Sequence, residues 1–317
     1  MTNAPAPRNF RRLVWTTLGV TLLVIAWGAL VRATKSGAGC GDDWPHCNGQ
    51  AIPLDASLKT MIEFTHRVTS GLVMLLALAV SLFALRLPKG PTRTTAHVAL
   101  FFMLLEAALG AGLVIFGLVV DNDSLARAVV MSLHLVNTLL LLGAQALCVW
   151  FAGGGARLRW RARSRLRTLW FAALGAFLVL GVTGALTALG DTLFPVETIR
   201  EGIAQHMDAT HPLLRLRVWH PVVAILVGGF FFAWAAIARR QRPEPAVLRY
   251  ASLVQGIYVA QLFLGVINLV LLAPVWMQLV HLLMADLSWL SVIFLGAATL
   301  EEPAEARSLV EPLPAAA

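Results

Sequence analysis

The stretch EFTHRVTSGLVMLLALAV, residues 63–80, decides the fold. From Val68 to Leu85 the chain carries no charged residue and is long and apolar enough for a membrane-spanning helix. Immediately before this run stand Glu63, His66 and Arg67, three groups that hydrocarbon rejects and that in membrane helices mark function.

The rest of the chain repeats the pattern. Of 317 residues, 58% are hydrophobic and 13% charged. Eight apolar segments are predicted as spans, at about 13–31, 64–85, 97–120, 128–151, 169–190, 216–238, 250–273 and 276–300. The first follows Arg8, Arg11 and Arg12, but its 19-residue charge-free run is long for a signal peptide and no small-residue cleavage site follows, so it reads as a retained helix.

The net charge of +8 would raise nucleic acid as a partner in a soluble protein, but its distribution excludes that reading. Arginine and lysine gather before span 1, at Arg86, Lys89 and Arg93, in the six-arginine segment ARLRWRARSRLRTLW (156–170), and at Arg239, Arg240, Arg242 and Arg249. The opposite connections are poor in positive charge, which places both termini in the cytoplasm of a multi-pass cell-membrane protein, the bilayer being its medium.

The arginine-rich connection divides the chain into residues 1–152, a basic linker 153–168, and residues 169–317 with a short cytoplasmic tail. LGAGLVI (109–115) aligns with LGVINLV (264–270), setting Glu106 opposite Gln261, and MSLHLVNTLLLLG resembles MQLVHLLMADLSWL. The expected fold is all-α: eight transmembrane helices as two repeated four-helix bundles, in one orientation because each copy has an even number of helices.

Every even-numbered span carries a histidine near its start: His66, His134, His220 and His281. Those spans run inward, so all four rings are expected in the outer half of the membrane, paired within each bundle. Facing imidazoles suit haem iron, which takes an axial nitrogen on each face. Zinc fits less well, since no histidine has a cysteine or carboxylate pair at metal spacing. Arg67, Arg215 and Arg217 stand where haem propionates would emerge, or simply snorkel to the interface. Glu63, three residues before His66, shares its helix face, and the second half has Leu216 or Arg217 there, so the bundles are chemically unequal.

After span 1 comes VRATKSGAGCGDDWPHCNGQ (31–50), in which Cys40 and Cys47 enclose six residues on the oxidising side. A bridge closing so short a loop stabilises by about 2.5 kcal/mol in the chain-entropy model; it reads as structural or regulatory, with exchange against a partner thiol as the alternative. Cys148 reads as an ordinary buried thiol, Asp286 as a polar contact inside the last span, and His206 and His211 as solvated loop residues.

GALVRATKSGAGCGDDWPHCNG, EFTHRVTSG and one histidine in each even span together resemble haem A synthase, the CtaA/Cox15 family, over about residues 10–300. The resemblance implies an enzyme that oxidises a methyl group of its substrate haem O to the formyl group of haem A by successive hydroxylations. It implies that His66 and His134 flank the substrate, that His220 and His281 ligate a b-type haem, and that Glu63 is the acidic residue beside the reacting edge. Implied partners are the haem O synthase (a protohaem farnesyltransferase), an unidentified electron acceptor and the cytochrome oxidase assembly machinery. Some relatives carry a second cysteine pair; the loop GDTLFPVETIREGIAQHMDATHPLLR (190–215) has none. Two other classes compete: a di-haem electron-transfer cytochrome without substrate chemistry, which the lone Glu63 disfavours, and a proton-relay transporter, which clustering of the histidines toward one face disfavours.

Overall fold

The computed structural model describes residues 4–54, 56–159, 164–207 and 212–302. Those residues form nine helices and no strand: α1 (Arg8–Ala33), α2 (Leu58–Ala84), α3 (Pro91–Ile115), α4 (Leu125–Ala152), α5 (Arg165–Leu193), α6 (Ile199–Met207), α7 (Pro212–Gln241), α8 (Pro245–Val270) and α9 (Val275–Leu300). All but the nine-residue α6 are long and apolar enough to cross a bilayer, which makes the chain a multi-pass membrane protein.

Helix ends follow local chemistry that hydropathy averages away. Ser57, Ser124 and Ser164 cap α2, α4 and α5, each side chain accepting from the backbone N–H three residues on. Because the cap lies at Ser57, α2 starts six residues before the expected span, and Glu63 and His66 lie inside the helix. Proline at the first position starts α3 and α8 early. They also end early: α3 stops before Gly117, at φ 62°, and α8 before Leu272 and Ala273, both left-handed. The expected spans 97–120 and 250–273 are corrected accordingly. The short helix α6 lacks an apolar run and escaped the sequence reading. Within α7, Pro221 removes the N–H that would have bonded the carbonyl of Arg217.

Contacts between the long helices close two rings. In the first, α1 packs on α2, α2 on α3, α3 on α4, and α4 on α1; in the second, α5 packs on α7, α7 on α8, α8 on α9, and α9 on α5. The rings meet where α4 touches α5 and α9 and where α1 touches α9. Their seam is close-packed: Trp289 Nε1 donates to the carbonyl of Leu139 at 2.7 Å, and its ring lies 5.1 Å from that of Phe177. Gly143 admits Trp289 and Ile293, while Gln145 donates to Thr21 at 3.0 Å. Cys148 is buried as expected.

Where α9 packs on α5 within the second ring, a Cβ on Gly296 would lie 2.0 Å from Nε1 of Trp170, a ring only 1% exposed and with no room to withdraw. Gly296→Ala is therefore expected to cost about 1–3 kcal/mol and to lower the melting temperature in detergent, whereas Gly175→Ala, with nothing within 4 Å, leaves it unchanged. Equal melting curves for the two variants would contradict this packing.

Candidate functional site

The four histidines lie in the second or third turn of α2, α4, α7 and α9. Each half-buried ring is seated against a glycine of the preceding long helix. A Cβ on Gly28 of α1 would come 3.0 Å from Cε1 of His66, and one on Gly184 of α5 would come 2.9 Å from Cε1 of His220. The corresponding distances are 3.7 Å from Gly110 of α3 to His134 and 3.1 Å from Gly265 of α8 to His281. A larger residue at Gly28, Gly184 or Gly265 would push the imidazole away.

The four rings differ in what else they meet. Nδ1 of His66 is buried with no hydrogen-bond partner among the described residues. Nδ1 of His134 lies 3.5 Å from Oε1 of Glu106 on α3. Nδ1 of His220 meets Oγ1 of Thr183 at 3.1 Å. Nε2 of Gln261 on α8 donates to Nε2 of His281 at 3.2 Å, leaving Nδ1 of His281 buried and unpaired among the described residues. Gln261 must turn aside before that Nε2 takes a metal.

Glu63 and Arg67 form a clamp on the cysteine loop. Glu63, 3% exposed, accepts from Arg67 Nη2 at 2.6 Å through Oε1 and from the Cys40 amide at 2.9 Å through Oε2. Arg67 Nη1 donates to the carbonyls of Asp43 and His46 at 2.5 and 2.6 Å. One turn earlier, Thr60 donates to the carbonyl of Gly39, a position where a Cβ would come 2.6 Å from the Lys59 backbone, so only glycine lets the loop lie this close to α2. Cys40 and Cys47 are disulfide-bonded and fully buried beneath this clamp.

Arg217 is engaged in the same manner in the second ring: Nη2 donates to the carbonyls of Gly190 and Phe194 at 2.8 and 2.6 Å, and Nε lies 2.9 Å from Asp191. Arg32, which the sequence reading passed over, ties the rings together. It donates to the Ala188 carbonyl at 2.7 Å, Thr192 at 2.6 Å and Gln278 at 2.9 Å. Nearby, Lys35 pairs with Asp121 at 2.7 Å, and that hydrogen bond holds the exposed carboxyl below its usual range.

Arg215 is exposed on α7. Asp286 is 3% exposed, with Oδ2 unpaired among the described residues. His211 lies outside the described residues, and of His206 only the backbone, in α6, is described. The seating glycines were legible in principle: WGALV (27–31), LGAGL (109–113), TGALT (183–187) and LGVIN (264–268) place a glycine at matching points of four helices, followed by alanine in the first three.

Residues 11–293 match the model of the COX15-CtaA family, described as cytochrome oxidase assembly protein. The chain belongs to that family. A Thermus thermophilus protein named protoheme IX farnesyltransferase is 47% identical over 310 residues, covering 97% of this chain and 51% of its own length. The chain thus spans about half the length of that relative. It is also similar to the heme A synthases of Shouchella clausii, 45% identical over 35% of this chain and 37% of that protein, and of Exiguobacterium sibiricum, 34% identical over 52% and 54%.

The clamp in this COX15-CtaA member makes a direct prediction. Arg67→Ala leaves Glu63 buried without its cation and frees two loop carbonyls, a loss of about 3 kcal/mol. After mild reduction, maleimide should label Cys40 and Cys47 much faster in the variant than in the parent. Identical labelling rates would show that Arg67 does not hold the loop down.

Proposed function

We propose that the chain is a haem A synthase, oxidising a methyl group of the substrate haem O to the formyl group of haem A. Its membership of the COX15-CtaA family and the heme A synthases among its relatives support this reading. The observation that carries it is the set of four histidines, two to each ring of helices, each seated on a glycine. We read the two rings as copies of one bundle, both placing their histidines toward the outer face of a cell membrane, with the termini in the cytoplasm.

In the first ring His66 and His134 flank the substrate, with Glu63 beside them. Both Glu63 oxygens already accept hydrogen bonds, so its chemical role is that of a fixed negative charge near the reacting edge, where positive charge develops as electrons leave the methyl carbon. Each hydroxylation takes its oxygen from water and releases two protons and two electrons; the first gives the alcohol, the second the hydrated aldehyde, whose loss of water leaves the formyl group, and the electrons pass to an acceptor outside the chain. Buried Nε of Arg67, unpaired among the described residues, is a donor that a propionate could meet; Arg215 and Arg217 are the candidates in the second ring.

A b-type haem fits the second ring: it holds two imidazoles, His220 on α7 and His281 on α9, and His281 keeps a buried nitrogen unpaired among the described residues. When bound between His220 and His281 such a haem supplies a one-electron carrier. Thr183 fixes the His220 ring through Nδ1 and leaves Nε2 for iron. The farnesyltransferase name of the Thermus relative supports the haem O synthase as a partner that hands over substrate.

Glu63→Ala should retain haem b at the parent level and lose haem A formation. His220→Ala and His281→Ala should instead lose bound haem b, read as pyridine haemochrome of the purified protein. Undiminished haem A from the Glu63 variant, or full haem b in both histidine variants, would remove these roles.

A further inference from the structure

The polar groups behind the histidines divide the two rings more sharply than Glu63 alone. On α3, Glu106 accepts hydrogen bonds from α4, from Asn137 Nδ2 at 2.5 Å on Oε2 and from Thr138 Oγ1 on Oε1, while Nδ1 of His134 stands 3.5 Å from that second oxygen, within ion-pair range but without hydrogen-bond geometry. Asn137 is itself anchored on the Phe102 carbonyl at 2.9 Å. All of these can donate, which suits a carboxylate acceptor. Because Nδ1 faces Glu106, Nε2 is the nitrogen that His134 has left for a metal. The equivalent residue on α8, four positions before the seating glycine in both helices, is Gln261, a neutral amide. His220 has only a hydroxyl behind it, and His66 has no partner on Nδ1 among the described residues.

A carboxylate behind a ligating imidazole raises the ligand's basicity and orients its ring, and hydrogen bonding of this kind is one of the levers that set a haem's potential. We propose that Glu106 is a positioning residue that makes His134 the most electron-donating of the four ligands, so that iron bound in the first ring has a lower reduction potential than iron bound in the second. This inference rests on the reading of both rings as haem sites. The oxidised iron is favoured where the substrate sits, while the second site, with only the Thr183 hydroxyl on Nδ1 of His220 and no partner on Nδ1 of His281 among the described residues, is easier to reduce. Electrons leaving the first site then run downhill into the second. Glu106 touches neither substrate nor reacting atoms; it acts through His134.

The test is spectroelectrochemical titration of the purified protein with the haems that it carries, beside total haem content. Two midpoint potentials are expected in the parent. Glu106→Gln should move the lower one to more positive values and leave the other, with Glu106→Asp restoring it. Gln261→Glu should move the higher one down. The proposal is overturned if Glu106→Gln keeps both haems with both potentials unmoved, or shifts the potential that Gln261→Glu shifts. If Glu106→Gln fails to hold haem in the first ring, Gln261→Glu decides alone, and an unmoved second potential overturns the proposal. A parent protein devoid of haem overturns the haem-site reading itself, an outcome distinct from two haems with unresponsive potentials.

Discussion

An imidazole inside a helical bundle needs room that an apolar helix does not normally leave, and four glycines supply it. Gly28, Gly184 and Gly265 each stand where a side chain would press on the ring of the following long helix, and at Gly110 a Cβ would just reach contact with His134. The arrangement brings helices close and aims ring nitrogens into the bundle, at the cost of a weaker local helix. The rest of the molecule keeps those four contacts in register. The seam of Trp289, Ile293 and Gly143 locks the rings together at one level, and Arg32, bonded to α5 and α9, does so near the loops.

From this shared plan the two rings diverge in charge. The first holds two carboxylates near its histidines, Glu63 and Glu106, each saturated with donors; the second offers a hydroxyl and an amide beside its rings and places Arg217 where the first has Glu63. Two rings with unequal polar partners are, on the proposed reading, a physical basis for one site that reacts and one that carries electrons. The cysteine loop belongs to the first ring: its backbone is fastened to α2 by the same Glu63–Arg67 pair that stands beside His66, so loop position and carboxylate position are set together.

Much of this was legible in the sequence because hydrophobicity and ionisable residues are strong signals in a membrane chain. All eight spans corresponded to long helices, and the disulfide between Cys40 and Cys47 is present. Boundaries were less legible: serine caps and N1 prolines act on single residues, so α2, α3 and α8 began earlier than their apolar windows, and the polar α6 left no trace in hydropathy. Side-chain partnerships were least legible. Alignment of LGAGLVI with LGVINLV placed Glu106 opposite Gln261, but that these residues meet His134 and His281 depends on how α3 packs on α4 and α8 on α9. Arg67 and Arg217 were read as groups for an outside anion; folding brings backbone carbonyls to both.

The most direct measurement is extraction and mass analysis of haems from cells that make haem O, with and without this chain. Conversion of haem O to its hydroxylated and formyl forms only when the chain is present is the expected result. Haem O left unchanged, in cells shown to supply the electron acceptor and with haem b bound to the purified protein, would contradict the synthase and leave a di-haem electron carrier.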